Sequence, residues 1–452
     1  MNYQICMPYQ TKMKINKSIL IVASILFFTA CKTAKYKKSI TSVAIAQITV
    51  KDAQFFKGDK PYYFIGANYW YGPLIAAKNT GDRARLVKEL DLMKSVGIDN
   101  LRILVGAEGD GGDSKVYPAL QPEQGVYNKD LLDGLDFLMA EMRKRNMYAV
   151  LYLNNNWIWS GGMSEYLKWN GYGEVPNPFL AQYSWDEYMN YTKQFHSCTP
   201  CKEAYYNHLK FIIGRTNAYS GIKYTADHTV MSWQVANEPR VLISPEHEKA
   251  FAGWLNETVD LIKKLDPNHL VSTGTEGKHG FLQDIDMYKR LHENKNIDYL
   301  AMHMWPKNWG WYDINNEKET TEQSITKAFE YMNEHIVIAK KLKKPIVMSE
   351  FGFPREKESL STEASVENRN TFYNAIFNRI TESSKNQSIL AGLNFWGFAG
   401  YAKTNPANGK WQHGDDFSAD PPQEPQGLNS VFASDISTLE LIKRANTILA
   451  EE

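Results

Sequence analysis

Two glutamates stand where they could do chemistry. Glu238 sits in Asn237-Glu238-Pro239-Arg240 and Glu350 in Ser349-Glu350-Phe351-Gly352, each directly after a short run rich in apolar and β-branched residues. One carboxyl held protonated beside another held ionised is the equipment for breaking an acetal linkage. The first protonates the leaving oxygen while the second attacks the anomeric carbon. Arg102 interrupts a third run, Leu101-Arg102-Ile103-Leu104. A charge inside an apolar strand must have a partner, so Arg102 either closes a structural salt bridge or keeps a carboxylate ionised. His303 ends another run and is followed by Trp305, and Trp396 ends the last.

These residues need elements to position them. Eight short apolar runs, at 62–67, 100–105, 148–153, 230–236, 270–274, 299–303, 345–349 and 392–396, read as strands. Helical periodicity falls between and after them, at 82–96, 130–145, 202–216, 246–265, 282–291, 321–341, 363–381 and 436–449. Successive parallel strands need helical crossovers packed outside, so the alternation predicts an α/β protein, a single-domain (β/α)8 barrel. Residues 48–56, with a turn at Gly58-Asp59, read as an N-terminal β-hairpin plugging the barrel bottom. A doubly wound open sheet is the alternative, but no G-x-G-x-x-G follows the first strand. In a barrel the chemistry lies at the C-terminal strand ends, where Glu238 and Glu350 fall on the fourth and seventh strands. Opposite tips of a small barrel can place two carboxyls about 5 Å apart, the spacing expected of a retaining glycosidase.

The chain of 452 residues carries a formal net charge of +0, so no global field draws it to nucleic acid. Its 12 Trp, 26 Tyr and 20 Phe either fill a core or offer flat faces for sugar rings. Trp157, Trp159, Trp305, Trp309 and Trp311 fall in predicted loops, which favours the second role for them. Ten His are scattered without dense ligand spacing, so no metal or cofactor is expected. There is neither a Walker loop nor a G-x-S-x-G elbow. Asp415-Asp416 either binds a cation or caps a loop.

The first residues read as an export signal. Lys12, Lys14 and Lys17 precede an apolar stretch at 18–28, too short to span a membrane, and Thr29-Ala30-Cys31 follows. Small residues before a Cys resemble the bacterial lipobox, with Cys31 as lipid acceptor; ordinary cleavage without a lipid is the alternative. Met7 and Met13 are alternative starts. Residues 1–31 are then the leader, 32–45 a basic tether, and 46–452 the catalytic domain of an outer-membrane lipoprotein. The basic tether favours the periplasmic face over the cell surface. Cys198-x-x-Cys201 lacks the further ligands of a zinc site, and in an exported protein a local disulfide of small stabilising effect is expected.

Asn-Glu-Pro after the fourth strand and Glu-Phe-Gly after the seventh resemble clan A glycoside hydrolases, family 5 in particular. The segments NNWIWSGG (155–162), WQVANEPR (233–240), HMWPKNWGW (303–311) and DDFSADPPQEPQGLNSV (415–431) resemble its endo-β-1,4-mannanase branch. The resemblance covers nearly all of residues 46–450. It implies Glu238 as acid/base, Glu350 as nucleophile kept anionic by Arg102, Asn237 on the sugar 2-hydroxyl and His303 orienting the acid/base. Trp396 would be the platform under the cleaved sugar. Where many relatives place a Tyr two residues after the His, this chain has Trp305, an indole that could donate to the nucleophile in its place. Arg240 resembles a substrate-binding residue, or is a surface Arg at a loop start; Trp157, Trp159 and Trp309 are groove candidates. The implied substrate is a mannan, glucomannan or galactomannan, cut by a monomer. The alternatives are a β-1,4-glucanase and a non-catalytic glycan-binding barrel.

Overall fold

A computed structural model describes residues 45–112, 114–405 and 409–451. The expected leader, Cys31 and residues 32–44 of the tether lie outside the described residues. The described chain begins with a small antiparallel sheet of β1 (Ile48–Lys51), β2 (Gln54–Lys57) and β3 (Lys60–Pro61), turning at Gly58. It is the expected plug, with a third short strand added. Phe55 and Ile48 are buried, and the Phe55 ring meets Tyr299 edge-on at 5.3 Å. They pack with Tyr62, Phe64, Tyr148, Met231 and Val347 into a cluster at the barrel floor.

Eight parallel strands follow: β4 (Phe64–Asn68), β5 (Asn100–Leu104), β6 (Tyr148–Tyr152), β7 (Val230–Gln234), β8 (Leu270–Ser272), β9 (Leu300–Met304), β10 (Ile346–Phe351) and β11 (Leu390–Phe395). Every residue in them is buried, as expected of strands covered by helices on one side and a filled interior on the other. The ladder runs β8-β7-β6-β5-β4-β11-β10-β9. Two backbone bonds, Asp298 N to Val271 O at 2.8 Å and His303 N to Glu276 O at 3.1 Å, link the segments around β8 and β9. The (β/α)8 barrel read from the sequence is therefore the fold.

The crossover helices match their predicted stretches to within a few residues, and polar caps fix several starts. Asp82 accepts from Arg85 N ahead of the helix Arg83–Ser95, and Asn128 accepts from Asp130 N ahead of Lys129–Lys144. Among the described residues the four-residue helix Gly72–Ile75 was not expected, nor were two more, Gly162–Trp169 and Trp185–Thr192, each of 8 residues. Two turns or fewer are too short for periodicity to announce. The last opens on a capping box between Ser184 and Glu187. Cys198 and Cys201 are disulfide-bonded, with Cα atoms 5.3 Å apart, at the start of the helix Thr199–Ile213.

Beyond β11, β12 (Phe398–Gly400) pairs with β13 (Val431–Phe432), closing a long loop over the barrel mouth. Asp415 and Asp416 cap turns of this loop, accepting from Gln412 N and Lys403 N at 2.9 and 2.8 Å.

Inside the barrel, Gly66 on β4 allows three staves to approach. A Cβ there would lie 2.3 Å from Asn100 O and 2.5 Å from Asn394 Nδ2. Backbone on one side leaves little room for relaxation. Gly66→Ala should destabilise the fold by about 1–3 kcal/mol or more, read as a lower midpoint in thermal or urea unfolding. An unchanged midpoint would contradict this packing.

Candidate active site

Arg102 is fully buried on β5, pointing along the barrel interior. Its Nε donates to Gln234 Oε1 at 2.7 Å, Nη1 to Asn68 Oδ1 at 3.1 Å and Nη2 to Asn237 Oδ1 at 2.9 Å. Nη1 also donates to Glu350 Oε1, and the guanidinium lies 4.4 Å above the Tyr152 ring. The charged partner that the sequence demanded is therefore Glu350, on β10. Burial alone would raise the Glu350 carboxyl. The charges of His303 and Arg102 and their hydrogen bonds outweigh it and hold the group below its ordinary value.

The other glutamate follows β7. Its backbone turns through φ +50°, a left-handed conformation uncommon outside glycine. Asn237 N to Asn154 O at 2.8 Å and Glu238 N to Gly274 O at 2.9 Å fix this turn. Strain held in place by neighbouring strands is a frequent feature of functional sites. His303 Nδ1 lies 2.7 Å from Glu238 Oε1 and 3.3 Å from Glu350 Oε2, while its Nε2 meets Ser349 Oγ at 3.0 Å. The imidazole is buried, which would lower its pKa. The adjacent Glu350 charge and the bond to Glu238 outweigh that and raise it. Asn237 Nδ2 donates to Asn155 Oδ1 at 3.2 Å, so its amide is oriented from both ends.

Glu238, His303 and Glu350 each offer a ligand-type atom, and these atoms lie within 4.8 Å of one another. Such a group could in principle hold a cation, but Arg102 already places a fixed positive charge on Glu350. The spacing instead suits a double displacement: Glu350 attacks, Glu238 donates its proton to the leaving oxygen, and Glu238 then takes a proton from the incoming water.

A cavity of about 510 Å³ opens over this pair. Of the residues singled out from sequence, Asn237, Glu238, Arg240, Trp157, Trp159, Trp305, Trp309, Glu350 and Trp396 all line it. Their roles differ in places from expectation. Trp305 makes no hydrogen bond to Glu350 among the described residues; its ring packs edge-on against Trp396 at 5.8 Å. The indole donor at this site is Trp157, and it donates to Glu238 Oε2. Trp159 is buried edge-on between Trp70 (5.4 Å) and Trp396 (6.5 Å), so it buttresses the Trp396 ring. Arg240 is not a free surface residue: it pairs with Glu276 and lies 4.6 Å over the Trp157 ring.

Sequence reasoning missed Phe179, Trp185, Met189, Glu276, His279, Asn308, Gln423 and Glu424, which also line the cavity. Gln423 and Glu424 belong to the segment 415–431, whose resemblance to the mannanase branch names no cavity residue within it. Trp185 and Phe179 lie in an aperiodic stretch, where nothing local distinguishes a groove aromatic from any other.

A closely spaced carboxyl pair, one member held ionised by an arginine, at the C-terminal mouth of a (β/α)8 barrel defines a glycoside hydrolase. The chain belongs to glycoside hydrolase family 5: the family model described as GH family 5 beta-mannosidase-like matches residues 46–452. It is 28% identical to mannan endo-1,4-beta-mannosidase 7 of Arabidopsis thaliana, over 77% of this chain and 77% of that one. It is 28% identical to mannan endo-1,4-beta-mannosidase 3 of the same plant, over 77% and 81%. The crystal structure of a family 5 mannosidase from Rhizomucor miehei superposes with a TM-score of 0.82 at 32% identity, covering 91% of this chain and 99% of that one.

Glu350→Ala should remove turnover while leaving the fold intact. Arg102→Gln should raise the Glu350 pKa, because a stabilising positive charge is lost. Glu350 acts ionised, so the acid limb of kcat/KM should move to higher pH, with a fall in rate of about 100-fold from the disturbed geometry. An acid limb unchanged from wild type would refute the role given to Arg102.

Proposed function

We propose that the chain is an endo-acting, retaining β-1,4-mannanase that hydrolyses mannan, glucomannan or galactomannan through a glycosyl-enzyme intermediate. The observation that carries the mechanism is that one carboxylate oxygen of Glu238 and one of Glu350 lie within 4.8 Å of each other. That falls with the retaining separation of about 5–5.5 Å and well short of the inverting range of about 6.5–9.5 Å. The mannan assignment rests on the relatives named mannan endo-1,4-beta-mannosidase. Ring faces away from the Trp396 platform support more than one sugar-binding position: Trp185 is 44% exposed and Trp309 half-buried in the same cavity. A second reading, attack from the chain end, is favoured by the likeness to the Rhizomucor miehei mannosidase, a variant of which is known in complex with mannosyl-fructose.

Galactomannan should lose viscosity quickly and release mixed oligosaccharides, with the β-anomer of each new reducing end appearing first by proton NMR. Mannose as the sole early product would favour the second reading. An α-anomer first would refute retention. Hydrolysis of carboxymethylcellulose without galactomannan would turn the assignment to the β-1,4-glucanase.

The reading includes export, with residues 1–31 as leader, a lipid on Cys31, a tether to residue 45 and the catalytic domain at 46–452. The apolar stretch at 18–28 directly before Thr29-Ala30-Cys31 supports it. In a Gram-negative host, labelled palmitate should enter the wild-type chain and not Cys31→Ser. Equal labelling of both would refute the anchor.

A further inference from the structure

The two ends of the barrel differ in charge, although the chain as a whole carries +0. Helix starts lie at the mouth and are acidic: Glu248, Glu317, Glu319 and Glu367 stand in first turns. Helix ends, and the loops leading into the next strands, lie at the floor, and there lysines gather. Lys264, Lys295, Lys340, Lys341, Lys343 and Lys385 are exposed and make no ion pair among the described residues. They precede β8, β9, β10 and β11, which are neighbouring staves, so they form one arc. Acids nearby are mostly engaged. Asp298 is paired with Lys263 at 2.7 Å and Glu293 with Lys289 at 2.5 Å. Asp260 and Glu382 are the exposed acids of this arc left without an ion pair among the described residues.

Lysines in a last helical turn complement the helix dipole, which accounts for Lys264, Lys340, Lys341 and Lys385 one by one. It does not account for Lys295, in the loop before β9, or for Lys343, beyond the last turn of its helix. Bonds across the floor hold these positions on one face. Gln47 Nε2 donates to Asn268 O at 2.6 Å, Gln54 Nε2 donates to Gln387 O, and Lys344 Nζ donates to His292 O and Asn294 O, both at 2.7 Å. The chain also enters the barrel at this face: Ile45 is buried, and its carbonyl lies 3.0 Å from His228 Nδ1. The sequence just before it holds Lys32, Lys35, Lys37 and Lys38, with no acidic residue from 32 to 50.

We propose that the barrel floor is a docking surface for an anionic lipid membrane, which leaves the catalytic mouth facing away from the bilayer toward polymer in solution. A lysine brought near an anionic leaflet gains attraction that dies away within a Debye length, about 8 Å at physiological salt. The floor lysines share one face and reach such a surface together, whereas the acidic helix starts stay at the far end of the barrel. The inference goes beyond the lipid proposed on Cys31. A tether from Cys31 to Ile45 reaches at most about 50 Å, so it limits distance without choosing a face. The charge of the floor makes that choice, and it does so with or without the lipid.

Residues 44–452 form one compact unit around their own core, so the test uses this domain, free of leader and lipid. At low salt it should sediment with vesicles containing phosphatidylglycerol and not with phosphatidylcholine alone. Salt at about 1 M, where the Debye length falls to about 3 Å, should release it. A floor variant carrying Lys264→Gln, Lys340→Gln, Lys341→Gln and Lys343→Gln should bind about 100-fold more weakly. A control carrying Lys129→Gln, Lys249→Gln, Lys318→Gln and Lys327→Gln loses the same charge from the mouth-side halves of helices and should stay within about threefold of wild type. Both variants are checked for an unchanged melting temperature. Vesicle-bound domain should cleave its best oligosaccharide at the rate of free domain. Absence of binding to the anionic vesicles, equal weakening in the two variants, or a rate suppressed by those vesicles would each overturn the proposal. Failure of Cys31 to take up palmitate would sink the lipid anchor alone, because this domain carries none.

Discussion

A guanidinium sealed inside a barrel loses its hydration, a penalty of several kcal/mol that only well-placed acceptors can offset. Arg102 meets that demand with oxygens from Asn68, Gln234, Asn237 and Glu350. These come from β4, β7, the turn after β7, and β10, so one side chain fixes staves from separate parts of the barrel. The planar fork of arginine matters here, because a lysine offers a point charge without fixed donor directions. The same bonds that settle the buried charge hold Glu350 ionised and fix one end of the Asn237 amide. Stability and reactivity are thus set by a single cluster.

Around this cluster the mouth is preorganised rather than adaptable. Glu238 sits on a left-handed turn that the neighbouring strands hold, and two donors, His303 and Trp157, bond its carboxyl. Trp157 in turn lies beneath Arg240, which is bound to Glu276. The Trp396 ring is wedged between Trp159 and Trp305. Fixed dipoles and rings aimed where charge develops need no reorganisation during reaction, which is how such sites lower barriers. The loop ending at β13 follows the same logic, with Asp420, Gln426 and Arg369 doing for loop backbone what Arg102 does for the strands.

The trade between Trp157 and Trp305 shows how a local substitution is absorbed. The family resemblance implies an indole donor at Trp305, two positions after His303. In the folded chain Trp305 lies against Trp396, and its ring comes so close to Gly352 that a Cβ there would stand 2.7 Å from it. Held there, the ring meets Trp396 edge-on, and its indole makes no hydrogen bond to Glu350 among the described residues. The donation at the mouth comes from Trp157 and goes to the other glutamate.

The eight strands, their helical crossovers and the floor plug were legible in the sequence because their signals are local. A strand buried on both faces reads as an unbroken apolar run, and a polar residue at its end stands out against that run. Glu238, Glu350, Arg102, Asn237 and His303 were found in this way, and Arg102 announced a partner although that partner lies 248 residues away. The two helices of 8 residues escaped notice because they are too short for periodicity. Which indole meets which carboxyl, and that Gln423 and Glu424 reach the catalytic cavity, were decided by tertiary structure alone. Loop residues carry no periodic signal, and their chemistry depends on which distant segments the barrel brings to the same side of its mouth.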